Sequence, residues 1–427
     1  MTAANHSTFR ETCAFCGGRA LEEIINLGNV ALAGAFLKPE QFSDEPRFPL
    51  RVHFCTDCYA LQVPDVVDPQ LMFANYFYYS SAIGSLREHF LDYASEMVSR
   101  FLQPERAVAV EIGCNDGAFL KPLADHGLRK VIGVDPATNI VEAIGDPRIT
   151  VVNAFFGSDV ARDIRNAHGP ADLVVANNVF AHIADINDVT KGVAALLDAD
   201  GVFVFEVHYL GSVIRGLQYD MIYHEHLYYY SLLALEAHLA RHGLVIFELQ
   251  GVPIHGGSIR YYACKASSPR ARSITNRVRL LRQQERELGY NRVETFEQFA
   301  KEIALRKDTL MRLLERLRKA GKKVAGYGAS GRANTIIQYC GITEHHLRYM
   351  IDDAPAKWGY CTPGSHLEIR SRDALAAATP DYLVVFAWGY LNEIAGKCKG
   401  YLDGGGKLIT PLPEVRLISH PTAQTPV

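Results

Sequence analysis

Val108-Ala-Val-Glu-Ile-Gly-Cys-Asn-Asp-Gly-Ala-Phe-Leu120 opens as an apolar run closed by Glu111 and then breaks at Gly113 and Gly117. From Ala118 to His126 the apolar positions return at helical spacing, so the stretch reads as strand, glycine turn and helix. Such a turn offers a ligand bare backbone with no Cβ in the way. It departs from the dinucleotide fingerprint, because Asn115 stands where a middle glycine would let a pyrophosphate approach. That points to a ligand without a pyrophosphate, S-adenosylmethionine, seated by Glu111, Gly113, Asn115 and Gly117.

Downstream, Lys130–Asp135, Thr150–Asn153, Asp172–Asn177 and Gly201–Glu206 read as strands separated by helix-compatible sequence, the pattern of a doubly wound parallel sheet. Asp135 ends the second strand, where a carboxylate can accept both hydroxyls of a ribose. Asn153, Ala154 and Phe155 are placed to frame an adenine. Leu244–Leu249 and Ser258–Lys265 form an appended hairpin, the usual ending of a class I methyltransferase sheet. Two polar constellations fall at the carboxyl ends of these strands, where open α/β sheets bind ligands: Asn177-Asn178-Val-Phe-Ala-His182 and Tyr223-His224-Glu225-His226-Leu-Tyr228. Histidine can remove a proton near neutrality, and a tyrosine hydroxyl or second imidazole can hold the resulting oxyanion. A metal site at His224, Glu225 and His226 is the weaker reading, since the i, i+4 spacing of a helical zinc protease is absent.

The chain is 427 residues long, enough for two or three domains, and 48% hydrophobic with 21% charged residues, as in ordinary globular proteins. A net charge of −3 gives no electrostatic case for nucleic acid or a membrane surface. The polar start and the lack of a long apolar run lead us to expect a cytoplasmic protein, and a monomer. Among nine cysteines, Cys13-x-x-Cys16 and Cys55-x-x-Cys58 form two knuckle-like pairs. Four thiolates complete a closed tetrahedral site, so a structural rather than catalytic zinc is expected, with the segment between the pairs forming its own small structure.

Between the cysteine module and the first strand lie Phe73-Ala-Asn-Tyr76-Phe77-Tyr78-Tyr79-Ser80-Ser81, which either packs or covers the cofactor, and an amphipathic helix over Ser85–Arg100. In the last third, Phe296, Phe299, Ile303, Leu310 and Leu317 mark one side of a long charged helix. Then Gly326-x-Gly328-x-x-Gly331 follows a strand and precedes a helix, with Asp352 and Asp353 closing the next strand. This literal fingerprint raises a nicotinamide-dependent oxidoreductase as a rival. Ser330 and Arg332 suit phosphate contact instead, and a nucleotide-sugar phosphate site is the preferred reading. Trp388, at the end of another strand, is placed to stack on a base or to pack. The tail after Pro413 is expected to fray.

Taken together, the four cysteines, Tyr78-Tyr-Ser-Ser81, Glu111-Ile-Gly-Cys-Asn-Asp-Gly117, Asn177–His182, Tyr223–His226 and His255-Gly-Gly-Ser258 resemble the sugar C-methyltransferases of deoxysugar biosynthesis over nearly the whole chain. The resemblance implies an α/β protein: a zinc-binding domain (1–70), a class I methyltransferase Rossmann-like domain that binds S-adenosylmethionine (71–265), and a second Rossmann-like domain for a nucleotide sugar (266–427). It implies methylation at C-3′ of a nucleotide-linked 4-keto-deoxysugar. His226 would be the base, with Tyr223, Glu225 and His182 around the sugar, and Tyr78, Tyr79 and Ser80 would lie over the cofactor beside Asn177. The substrate set would include Asn178, His224, His255, Gly257, Ser258, Ser330, Arg332, Asn334, Asp353, Lys357 and Trp388. One departure is Gly331-Arg332-Ala333, where members tend toward Ala-Lys-Gly.

Overall fold

The computed structural model describes residues 6–73, 80–82, 84–254, 256–420 and 423–426. The N-terminal region contains β1 (Ser7–Phe9), β2 (Leu21–Ala31), β3 (Arg47–Cys55), β4 (Leu61–Gln62) and β5 (Asp65–Val67). β1 and β5 form an antiparallel ribbon, while β2, β3 and β4 form an antiparallel sheet. The register of β2 on β3 pairs Leu21 with Cys55. This hairpin is the small structure between the cysteine pairs, and it returns the second pair to the first.

A helix over Gly84–Phe101 leads into the central sheet, built from β6 (Val108–Ile112), β7 (Lys130–Val134), β8 (Ile149–Val152), β9 (Ala171–Asn177) and β10 (Leu197–His208). β11 (Tyr228–Tyr229) leaves this sheet to pair with β4 in the N-terminal one. β12 (Leu244–Val252) and β13 (Ser258–Lys265) complete the order β12-β13-β10-β9-β6-β7-β8, with β13 antiparallel to β10. Every residue of β6 is buried, as expected of a parallel strand covered on both faces. Alternation divides the contacts: Ala109, Leu173 and Val175 pack with Leu86, Phe90 and Tyr93 on one face. Val110, Val174 and Phe205 join Phe180, Val189 and Val193 on the other. The sheet is the class I methyltransferase sheet.

The last third begins with helices over Asn276–Glu287 and Val293–Lys319. The longer helix buries Phe296, Phe299, Ile303, Leu310 and Leu317, the seam read from the sequence, with Phe296 against Phe54 of β3. A second α/β sheet follows, from β14 (Val324–Tyr327), β15 (Met350–Ile351), β16 (Ile369–Arg370), β17 (Tyr382–Val385), β18 (Lys407–Thr410), β19 (Arg416–His420) and β20 (Ala423–Pro426), in the order β16-β15-β14-β17-β18-β19-β20. The tail expected to fray instead pairs its backbone, β19 on β18 and β20 on β19, both antiparallel. Ladder hydrogen bonds, which composition does not report, decide that outcome. No helix among the described residues is long and apolar enough to cross a membrane.

Candidate active site

The turn after β6 is built for close approach. Gly113 has φ +68°, and a Cβ there would stand 2.6 Å from Val179. Asn115, also left-handed at φ +49°, donates its backbone N–H to Asp135 Oδ2 at 3.0 Å, and Ala137 N–H reaches Oδ1 at 2.9 Å. Both carboxylate oxygens are thereby fixed at the end of β7, and burial lifts the Asp135 pKa above the usual carboxylate range. Asn153 braces this corner, donating to the Asp135 carbonyl at 2.9 Å and accepting from Thr138 at 2.8 Å.

These elements surround a cavity of about 300 Å³, lined by Gly113, Asn115, Asp135, Ala154, Phe155, Asn177 and Ser80 among others. Ser80 N–H donates to Asn115 Oδ1 at 2.9 Å, and Ser81 is tied to Asp116, which fastens the preceding segment to the glycine turn. Glu111 lies behind the wall: it is buried, accepts from Asn177 Nδ2 at 2.9 Å, and has a pKa raised well above its ordinary value by burial. Asn177 Oδ1 is buried without a protein donor. Neither Glu111, Gly117 nor Asn153 lines the cavity, and their contacts assign them to supporting it. A carboxylate at the second strand end, bare backbone at the first and an unmatched amide oxygen fit a ligand with ribose hydroxyls and an amino group, as S-adenosylmethionine has. Tyr78, Tyr79 and His255 lie outside the described residues.

A second cavity of about 240 Å³ adjoins the first, sharing Asn178 and His182 as walls. Tyr223, Glu225, His226 and Arg332 also line it. The Nδ1 of His226 lies 2.7 Å from the Met221 carbonyl. A carbonyl only accepts, so Nδ1 carries the proton and Nε2 is the basic nitrogen. The ring packs 4.1 Å from Tyr223 and 5.0 Å from His182, centroid to centroid. Burial, reinforced by His182, holds the His226 pKa well below its ordinary value, and burial holds that of His182 at about 4. Both imidazoles are neutral at pH 7.

His224 is turned away. At 1% exposure it places Nε2 3.1 Å from the Pro49 carbonyl on β3, and it does not line this cavity. Of the Tyr-His-Glu-His run only His224 turns from the cavity that Tyr223, Glu225 and His226 line, a fact that the run itself does not announce. Gly257 and Ser258 follow the same correction: a Cβ at Gly257 would lie 2.5 Å from Ser212, and Ser258 hydroxyl donates to the Ile254 carbonyl at 3.3 Å. They flank the cavity through the pairing of Ser258 with His208, a lining residue that sequence reasoning missed.

The C-terminal glycine motif is closed by packing. A Cβ at Gly326 would strike Met350, one at Gly328 would lie 2.6 Å from Ala387, and Gly331 faces Ala33 and Tyr223 at 3.6 and 3.8 Å. Ser330 caps the helix Gly331–Cys340 by accepting from Ala333 N–H at 3.3 Å, and buried Asn334 donates to the Ala33 carbonyl. Lys357 reaches the Ala329 carbonyl at 2.8 Å and Asp352 at 3.2 Å, while Asp353 accepts from Tyr327 and Lys397, each at 2.8 Å. None of these four lines the cavity. Arg332 does, with its Nε 2.8 Å from Asp220 Oδ2, an oxygen that also accepts from Trp388 Nε1 at 2.9 Å. Sequence reasoning passed over Asp220. Its one signal is an acid set in the otherwise apolar Tyr219–Ile222.

At the N-terminal end, the sulfurs of Cys13, Cys16, Cys55 and Cys58 lie within 4.8 Å of one another, Cys13 and Cys58 at 3.5 Å and Cys16 and Cys55 at 3.7 Å. Zinc–sulfur bonds of about 2.3 Å in a tetrahedron place sulfurs about 3.8 Å apart. The residue after each pair, Gly17 and Tyr59, is left-handed, and its N–H donates to the first cysteine's carbonyl. Gly18 N–H and Gln62 Nε2 approach Cys16 and Cys13 sulfurs at 3.3 and 3.1 Å, as donors do toward thiolates. Contact with Cys55 and Cys58 pushes the Cys13 pKa far down, and contact with Cys13 pushes theirs up. The set fits a closed structural zinc site.

Fold and sites together define an S-adenosylmethionine-dependent methyltransferase with a zinc-binding N-terminal region. Family models match along the chain: a zinc binding domain at residues 13–73, a methyltransferase domain at 86–249 and a C-methyltransferase C-terminal domain at 253–413. C-methyltransferase NovU of Streptomyces niveus is 34% identical over 96% of this chain and 97% of its own. A ubiquinone biosynthesis O-methyltransferase of Azorhizobium caulinodans is 26% identical over 37% of this chain and 68% of its own. The CcbJ methyltransferase structure from Streptomyces caelestis covers 45% of this chain and 100% of its own at 12% identity, with a TM-score of 0.34. The chain belongs to the C-methyltransferase family that carries an N-terminal zinc-binding domain. The oxidoreductase reading of Gly326–Gly331 falls, since that stretch lies inside the C-methyltransferase C-terminal domain.

Proposed function

We propose that this enzyme transfers a methyl group from S-adenosylmethionine to C-3′ of a nucleotide-linked 4-keto-deoxysugar, through base-catalysed formation of an enediolate. The observation that carries the reading is His226, a neutral imidazole with its tautomer set by Met221, in a cavity that adjoins the cofactor's. A carbon must become nucleophilic before it can accept a methyl group, and a neighbouring ketone makes its proton removable. His226 Nε2 takes the C-3′ proton. Tyr223 and His182, packed around that ring, stabilise the negative charge that develops on O4′. Bound S-adenosylmethionine supplies an electrophilic methyl on a sulfonium. Arg332 and Trp388 face the nucleotide end of the substrate, and Glu225 orients a sugar hydroxyl. The working division of the chain is 1–70 for zinc, 71–265 for the cofactor and 266–427 for the nucleotide sugar.

Wild-type protein incubated with S-adenosylmethionine and a panel of nucleotide-linked 4-keto-deoxysugars is expected to add the mass of one methyl. General base catalysis contributes about 10²- to 10⁴-fold, so His226→Asn is expected to lose at least 100-fold in kcat, lose solvent deuterium exchange at C-3′, and bind cofactor normally. Normal turnover of that variant, or no methyl gain by the wild type on any member of the panel, defeats the proposal.

A further inference from the structure

The turn Tyr219–Met221 and the residue after it are gripped by the C-terminal helix Gly331–Cys340 at three places. Tyr219 hydroxyl lies 3.7 Å from Cys340 Sγ, Asp220 Oδ2 accepts from Arg332 Nε at 2.8 Å, and the Ile222 carbonyl accepts from Thr335 hydroxyl at 3.1 Å. Between these points the Met221 carbonyl receives the His226 Nδ1–H at 2.7 Å. Asp220 is fully buried, and the same Oδ2 also accepts from Trp388 Nε1 at 2.9 Å. The Arg332 guanidinium lies 5.2 Å from the Trp388 ring. One carboxylate oxygen therefore fixes an arginine from the helix Gly331–Cys340 and an indole from the helical turn Trp388–Tyr390, and the next peptide fixes the imidazole.

We propose that Asp220 is a positioning residue that registers the Arg332–Trp388 pair against His226, so that the base and the C-terminal side of the substrate cavity are held by a single turn. A buried carboxylate with two strong donors is a rigid joint, since moving it breaks both hydrogen bonds to Asp220 at once. When a ligand shifts Arg332 or Trp388, the displacement passes through Asp220 to the Met221 carbonyl one residue on, and the imidazole turns with it. Asp220 itself does not line the cavity. Its role in turnover rests on the sugar methylation proposed above, whereas its hold on the His226 tautomer does not.

The test uses full-length zinc-loaded protein and two readouts. In ¹⁵N-resolved imidazole spectra, wild-type His226 is expected to show a single Nδ1–H tautomer, and Asp220→Asn a mixture of both. In steady state, Asp220→Asn is expected to lower kcat about tenfold or more while the dissociation constant for S-adenosylmethionine and the zinc content stay within twofold of wild type. Asp220→Glu is expected to recover part of the loss. Arg332→Ala is expected to act in the same direction, and the double variant to lose no more than the worse single one. If Asp220→Asn fails to fold, Trp388→Phe and Arg332→Lys carry the tautomer readout, each being expected to broaden or split the His226 signal. An unchanged tautomer in every folded variant, or fully additive losses in kcat, overturns the proposal. A wild type that methylates no keto sugar overturns the function instead, and the tautomer spectra still decide the role of Asp220.

Discussion

Two glycine turns follow parallel strands in this molecule, and they have opposite surroundings. Gly113–Gly117, after β6, opens on a cavity of about 300 Å³. Gly326–Gly331, at β14, is the better match to a dinucleotide fingerprint, yet Met350, Ala387, Ala33 and Tyr223 stand against its glycines. The difference teaches that glycine spacing specifies where a backbone can be approached closely, not by what. Val179 packs against Gly113 as closely as Ala387 packs against Gly328, but at β6 Gly113, Asn115 and Val179 also border a cavity, whereas at β14 strands and loops of the same chain meet the motif's glycines. The second turn still contributes to the site, through the Arg332 side chain instead of through backbone amides.

The contrast is tested most severely at Gly113. Gly113→Ala combines a left-handed φ, costing a residue with a Cβ about 1–2 kcal/mol, with a Cβ 2.6 Å from Val179, an overlap that costs about 1–3 kcal/mol more. Because Val179 and Gly113 both line the cavity proposed for the cofactor, calorimetry is expected to show a loss of about 100-fold or more in S-adenosylmethionine affinity. Cofactor binding at wild-type strength would remove the distinction between the two turns. Gly328→Ala is strained in a similar way, with φ +91° and a Cβ 2.6 Å from Ala387. There the expected result is about 3 kcal/mol lost in urea unfolding, with cofactor affinity unchanged in the protein that remains folded.

The cavity between the turns supplies the next measurement. Burial holds His182 at about 4 and His226 well below its ordinary value. Unfolded histidine titrates near 6.5, so between pH 6.5 and 4 the unfolded chain binds protons that the folded one refuses. Stability from these groups is fully present above pH 6.5 and is lost as pH falls. Each unit of pH removes about 1.4 kcal/mol through His182 within that window, about 2.5 kcal/mol by pH 4.5, and His226 acts in the same direction. Unfolding measured from pH 7.5 to 4.5 is expected to show this slope, reduced by His182→Asn. An unaltered slope in that variant would mean that the cavity is wet.

How far the sequence anticipates all this depends on the range of the interactions. The central strands are legible because each is a short apolar run bounded by turns, and Asp135 is legible because strand ends are where ligands sit. The cysteine knuckles declare themselves by spacing. What stays hidden is set by contacts between distant segments. His224 and His226 are two residues apart, yet Pro49 claims one and the cavity the other. β11 pairs with β4 across more than half of the N-terminal and central chain, and Gln62 on β4 touches the Cys13 sulfur, so the zinc knuckle borders the strand that follows His226. Asp220 has no motif, because its partners Arg332 and Trp388 lie over a hundred residues away. In the tail, polar in composition, Arg416–Ile418 pair by ladder bonds with β18.

The smallest expected effect is also the sharpest separation between a ligand cradle and a packed turn. Gly331 is the first residue of the helix Gly331–Cys340, and its φ is not left-handed, so alanine fits the backbone. A Cβ there would meet Ala33 at 3.6 Å and the Tyr223 ring at 3.8 Å, ordinary van der Waals distances. Replacing glycine by alanine in a helix gains up to about 1 kcal/mol, less at a terminus. Gly331→Ala is therefore expected to raise Tm slightly and to leave kcat and both KM values within about twofold of wild type. If instead KM for the sugar nucleotide rises tenfold with stability unchanged, phosphate approaches the backbone at Gly331. The C-terminal turn would then be a cradle like that of Gly113, held closed until substrate displaces Tyr223.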